Sequence, residues 1–150
     1  MGSKVNRDGD APVNTETSLE IATGTAIDLT TSVIGLRRDG VARLMAPSSG
    51  GPPRRLDGHT IGLGMISADN MPPHAGERHP DGDEILIMVS GRIDVHLELD
   101  DGDETVQLGP GEAMTIPKGV WHLIHCVEPG QLINITPGPS GEYRPLPSSD

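Results

Sequence analysis

Residues 92–99, RIDVHLEL, place an apolar side chain at every second position, and this strict alternation limits the fold more than any other feature of the chain. Successive side chains of an extended strand point to opposite faces, so Ile93, Val95, Leu97 and Leu99 form an apolar face while Arg92, Asp94, His96 and Glu98 form a polar one. A half-buried antiparallel strand is predicted. The acidic turn DDGD at 100–103 leads into Thr105-Val106-Gln107-Leu108, which makes the two runs a hairpin. Further strands are predicted at 29–36, 41–45, 60–66, 84–89, 113–116, 121–127 and 131–136, with Gly, Pro or Asp at the breaks between them. There is no long helical period and no internal repeat. Many short strands with turn signals define an all-β chain, a sandwich or a barrel.

Gly and Pro number 20 and 14 in 150 residues, and they fall mainly between the predicted strands. Residues 1–20, mostly polar and small, read as a flexible N-terminal arm or a strand added late. The segment 48–58, SSGGPPRRLDG, is a loop by composition. The run from Pro137 to Asp150 carries four prolines and is expected to hold no regular element. The expected organisation is an arm at 1–20, one domain at 21–137 and a Pro-rich tail at 138–150.

Several functions fall away on charge and composition. A formal charge of -11 offers no basic field to phosphates, and Trp121 and Tyr143 are the only aromatics, so nucleic-acid binding is not expected. No apolar run approaches the roughly 20 residues of a membrane span, and MGSKVNRDGD lacks the apolar core of a signal peptide. Asn6 stands where a myristoylation signal wants Ser or Thr. A cytoplasmic location follows as the expectation. With Cys126 the single cysteine, internal disulfides and thiolate zinc clusters are excluded, so any metal site must use His, Asp and Glu.

Four of the six histidines lie where loops meet predicted strands, in His74-Ala-Gly-Glu77-Arg-His79-Pro-Asp-Gly-Asp-Glu84 and in Pro117-Lys-Gly119-Val-Trp-His122-Leu-Ile-His125. Glu77 and His79 are two apart and share a face in an extended segment, and the Pro80-Asp81-Gly82 turn can return the chain to bring Glu84 beside them. His122 lies near the start of a later strand. Two imidazoles and at least one carboxylate on a rigid sheet form the usual open site for a divalent first-row metal.

These two segments resemble the paired motifs of the cupin superfamily. His79, Glu84 and Gly91 stand at the spacings of the second His, the Glu and the closing Gly of the first motif, and Gly111, Pro117, Gly119 and His122 stand in register with the second. The match covers residues 71–126 and implies a jelly-roll β-barrel, a double-stranded β-helix, of the small single-domain kind. The superfamily hosts dioxygenases, isomerases, epimerases, decarboxylases, lyases and plain binding proteins, so the resemblance implies a fold and a site rather than one activity. It also implies a homodimer, for which an exposed strand edge near 21–46 offers a surface.

The departures bear on the ligand set. Glu77 stands at the position of the family's first His, Met71 at its opening Gly and Cys126 at its final Asn. The resemblance therefore transfers His79, Glu84 and His122 as ligands and leaves a fourth open between Glu77 and His74. Two carboxylates with two histidines favour harder ions such as Mn²⁺ or Fe²⁺, with Zn²⁺ and Ni²⁺ as alternatives. His96, between Asp94 and Glu98, reads as a solvated surface side chain. His125, three residues from His122, falls on the opposite face. Asp100-Asp101-Gly102-Asp103-Glu104 lacks the full ligand series of a calcium loop and reads as a solvated hairpin tip.

With Glu84 and His122 inward, parity sends Leu86, Met88, Ile124 and Cys126 inward too, and Met65, Met114 or Ile116, and Asn134 complete an aliphatic cavity. The function expected is a metal-dependent enzyme of the oxygenase, isomerase or lyase class acting on a small polar or carbonyl-bearing metabolite, with Glu77 as fourth ligand or general base. The alternatives are a non-catalytic cupin that binds a metal or small ligand, and a metal-free enzyme using Glu77, Glu84 and His79 as acid and base.

Overall fold

The computed structural model describes residues 18–45 and 54–149, which form ten strands and no helix. These are β1 (Ser18–Glu20), β2 (Val33–Arg37), β3 (Ala42–Met45), β4 (Gly58–Ile66), β5 (Glu77–Arg78), β6 (Glu84–Leu97), β7 (Glu104–Leu108), β8 (Ala113–Ile116), β9 (His122–Gly138) and β10 (Glu142–Tyr143). All pairings are antiparallel.

The long strands β6 and β9 organise the rest. The first half of β6 pairs with β8 and with the second half of β9, which continues through β4, β2 and β3 to β1. The second half of β6 pairs with β7 and with the first half of β9, which continues to β5 and β10. One pair of strands thus belongs to both walls, and this closes the sheet into the all-β jelly roll that the cupin resemblance implies.

The breaks predicted near 89–92 and 127–131 are bends within continuous strands. Register shifts between Met88 and Ser90, Ser90 and Arg92, and Arg92 and Ile93 mark a bulged stretch that turns β6 from one wall into the other. Gly91 adopts φ +78°, and a Cβ there would lie 2.6 Å from the Glu128 and Pro129 carbonyl oxygens; a Cβ on Gly130 would lie 2.1 Å from the Ser90 oxygen. Only glycine lets the two backbones approach this closely. Residues that resemble strand ends therefore serve as corners.

Alternation in 92–97 holds, with Ile93 and Val95 fully buried and Leu97 buried. They join Leu86, Met88 and Ile116 in a core without phenylalanine. The hairpin expected at 92–108 is β6–β7, with Val95 opposite Val106. The strand expected at 29–36 starts later, at Val33, because the Asp28 carboxylate accepts from the Thr30 N–H at 2.9 Å and its hydroxyl at 2.6 Å, holding a turn there.

At the termini, residues 1–17 of the expected arm lie outside the described residues, while Ser18–Glu20 pair with β3. The segment expected to hold no regular element contains β10, because Pro139 and Pro145 flank Glu142–Tyr143 without interrupting it. Arg144, next in sequence, lies 4.1 Å over the Trp121 ring and donates to Glu98 at 2.8 Å, so the tail is fastened across the barrel. Among the described residues, no helix is long and apolar enough to cross a membrane.

Gly91→Ala combines a strained φ with a backbone clash and is expected to destabilise the protein by about 2–4 kcal/mol. Gly111→Ala carries φ +80° but meets nothing within 4 Å, so it should lose only about 1 kcal/mol. Urea denaturation of both variants checks the order, and equal losses would contradict the corner assigned to Gly91.

Candidate metal centre

Glu77 leaves β5 opposite His122 at the start of β9, and Tyr143 of β10 pairs with Glu77 on its other side. Arg78, the next residue, points away, with its guanidinium 4.9 Å over Trp121 and its Nε donating to Glu142 at 2.6 Å. Glu84 opens β6 directly across from Ile116 at the end of β8. The two motif loops are stitched together by backbone bonds: Gly119 N–H donates to the His79 carbonyl at 2.9 Å, and Lys118 N–H donates to the Asp83 carboxylate at 2.8 Å. This fastening brings His79 within reach of His122.

Glu77, His79, Glu84 and His122 each offer one donor atom, and the four atoms lie within 4.8 Å of one another. His79 Nε2 is 3.2 Å from Glu84 Oε2 and 3.9 Å from Glu77 Oε1. His122 Nε2 is 3.3 Å from Glu84 Oε1 and 3.5 Å from Glu77 Oε1. Ligands held about 2.0–2.2 Å from one ion sit roughly 3–3.6 Å apart, so the spacing suits a shared cation. His79, Glu84 and His122 are buried, whereas the Glu77 side chain is 15% exposed and reaches the mouth.

The bonding of these atoms makes the stronger case. His79 Nε2, His122 Nε2 and Glu84 Oε1 are buried without a hydrogen-bond partner. Each such atom costs about 1–3 kcal/mol, and three of them facing one point are relieved together by a positive charge. Their surroundings hold them there. The His122 Nδ1–H donates to the Val120 carbonyl at 3.0 Å, which leaves the Nε2 lone pair facing the carboxylates. The Thr136 hydroxyl donates to Glu84 Oε2 at 2.6 Å and accepts from Asn134 Nδ2 at 2.8 Å.

Burial works against a charged His122, but the Glu77 and Glu84 carboxylates outweigh it and push its pKa up to about 10. Burial likewise opposes the charged form of Glu84, yet His122 and His79 hold its carboxyl well below the usual range. Without a metal, a proton on His122 supplies the positive charge that the carboxylates demand.

His74, the alternative fourth ligand, stands outside this group. Its Nε2 lies 3.7 Å from Glu77 Oε2, its Nδ1 accepts from Gly76 N–H at 3.2 Å, and its ring lies 5.4 Å from that of Tyr143. It borders the mouth rather than the centre. His125 is exposed, as its parity implied, and His96 pairs at the surface with Asp103 and Thr105 at 3.2 Å. Ile124, Cys126 and Met114 pack against the core, and Ile116 is buried within it. Met65 is a correction to the expected lining: it is 55% exposed, because Thr60 and Ile66 take the inward, even-numbered positions of β4. Thr136, Arg55 and Tyr143 were not anticipated. Thr136 lies two residues from Asn134 on one strand, and that spacing was its available signal.

An all-β barrel with a buried His-carboxylate cluster defines the class. Residues 70–136 match the family model described as a cupin domain. Among solved structures, a cupin-2 domain containing protein from Shewanella frigidimarina is 25% identical, covering 56% of this chain and 74% of that one with a TM-score of 0.42. The Lactobacillus farciminis oxalate decarboxylase formate complex is 20% identical over 57% of this chain and 26% of that one, with a TM-score of 0.49. A Bacillus subtilis oxalate decarboxylase mutant is 16% identical over 57% and 23%, with a TM-score of 0.47. The chain thus spans about a quarter of those decarboxylases. No curated protein matches the chain.

The pKa shifts set the pH behaviour of chelator-treated protein. His122 is raised, so the stability it contributes is fully present below its ordinary value of 6.5 and is lost as pH rises through about 10. Glu84 is lowered, so its contribution is present above 4.5 and is lost as acid protonates it. Melting temperature in EDTA is therefore expected to fall on both sides of pH 4.5–6.5, and His122→Gln should flatten the alkaline limb. An alkaline limb unchanged in that variant would contradict the assignment.

Proposed function

We propose that the chain is a divalent-metal-dependent enzyme, of the oxygenase, isomerase or lyase class, acting on a small polar metabolite. The convergence of three unpartnered buried atoms, His79 Nε2, His122 Nε2 and Glu84 Oε1, carries this reading. With Glu77 they make a donor set of two imidazoles and two carboxylates, which fits Mn²⁺ or Fe²⁺ first and Zn²⁺ or Ni²⁺ next. When bound, such an ion supplies Lewis-acid polarisation of a substrate oxygen.

The residues divide the remaining work. His79, Glu84 and His122 form a buried floor, in which the Val120 carbonyl orients His122 and the Thr136 hydroxyl orients Glu84. Glu77 offers Oε1 to the centre while Oε2 faces His74 at 3.7 Å. That second oxygen is the atom placed to take or return a substrate proton at the mouth.

Metal analysis of untagged protein reconstituted with Mn²⁺, Fe²⁺, Zn²⁺ or Ni²⁺ tests the reading. About one ion per chain is expected in the wild type and almost none in His79→Ala or His122→Ala. Thr136→Val, which removes the support beneath Glu84, should weaken metal affinity by about 10- to 100-fold. Folded wild type that takes up no ion would overturn the proposal. Turnover without metal would favour acid-base catalysis by Glu77, Glu84 and His79, and ligand binding without turnover would favour a binding protein.

A further inference from the structure

Arg37, Arg38, Arg43, Arg78, Arg92 and Arg144 each pair with a carboxylate, whereas among the described residues no carboxylate pairs with Arg55. Its Nη1 donates to Thr60 Oγ1 at 2.9 Å, and its buried Nε has no hydrogen-bond partner. A guanidinium presents a planar fork of donors matched to a carboxylate, and a buried donor left unmade is costly. This fork is built for something.

Its position connects it to the centre. Thr60 is 1% exposed, and its hydroxyl faces the Thr136 carbonyl at 3.5 Å, while the Thr136 hydroxyl donates to Glu84. Two buried threonines therefore separate Arg55 from the Glu84 carboxylate. Tyr143 approaches from the other side, paired in register with Glu77, its ring 5.4 Å from His74 and its hydroxyl beside the Arg55 guanidinium. Burial raises the Tyr143 pKa, which keeps the phenol protonated and able to donate.

We propose that Arg55, with the Tyr143 hydroxyl, anchors a carboxylate group of the substrate at the mouth of the Glu77–His79–Glu84–His122 centre. The inference rests on the metal-centre reading and narrows its substrate to small carboxylate-bearing metabolites. Charge supports it. Glu77 and Glu84 together would balance one divalent ion, so neither carboxylate would be left to compensate the Arg55 charge. A chain of net charge -11 repels anions in general, and a half-buried guanidinium with no carboxylate partner and an unpartnered Nε gives one anion a place to bind. The orphan Nε and the Nη groups supply a bidentate grip on a carboxylate, which a neutral amide of the same shape cannot exploit to the same degree.

Isothermal titration of Mn²⁺-loaded protein with pyruvate and with pyruvamide tests this. Wild type should bind pyruvate and discriminate against pyruvamide by about tenfold or more. Arg55→Gln should keep its circular dichroism spectrum and its Mn²⁺ affinity while weakening pyruvate by a similar factor, with Arg55→Lys between the two. Pyruvate bound equally well by Arg55→Gln, or pyruvamide bound as well as pyruvate, would overturn the anchor, as would Mn²⁺-loaded wild type that binds no pyruvate. If Arg55→Gln fails to fold, the comparison of pyruvate with pyruvamide on the wild type decides. Wild type that takes up no Mn²⁺ would instead sink the metal reading and this inference with it.

Discussion

A carboxylate that is 3% exposed governs the structure around it. Removing Glu84 from water costs several kcal/mol unless partners replace the lost solvation, and one hydroxyl from Thr136 does not suffice. The remaining demand is for positive charge, and His79 and His122 at 3.2–3.3 Å are placed to share it. Glu77 and Glu84 bring two carboxylates to the cluster, and a bound cation or a proton on His122 would balance them. On the proposed reading, a proton on His122 and a divalent ion would compete for that role, which would couple metal uptake to pH.

The scaffold exists to hold this cluster still. β6 and β9 each run through both walls, so Glu84 at the start of one and His122 at the start of the other lie at opposite ends of one antiparallel pairing that the bulge bends. Glycine corners at Gly91 and Gly130 permit the bend, and backbone bonds between the motif loops hold His79 in place. The tail adds a third support: β10 sets Tyr143 beside Glu77, and Arg144 holds it down through Trp121 and Glu98. Tyr143 therefore borders the site, and Trp121 holds the strand that carries it.

Features carried by local spacing were legible in the sequence. Alternation assigned the inward face of Ile93, Val95 and Leu97, loop-strand spacing drew Glu77, His79 and Glu84 together, and the likeness to the second cupin motif added His122. Features that depend on pairing across the sheet were not. Nothing in SSGGPPRRLDG indicates that Arg55 bonds Thr60, and nothing near Thr136 names Glu84, since both contacts join segments through tertiary structure. The prolines around Glu142–Tyr143 concealed a strand because they flank it, and the glycines of β6 and β9 looked like ends because a bulge breaks alternation as a turn does.

The central claim is that four side chains hold one divalent ion in a barrel shaped to demand it. Anomalous diffraction from crystals soaked in Mn²⁺ tests it most directly. The account predicts one strong peak about 2.0–2.3 Å from Glu77, His79 Nε2, Glu84 and His122 Nε2, with Glu84 still bonded to Thr136. A peak elsewhere, or ordered density with no peak among these four residues, would contradict it.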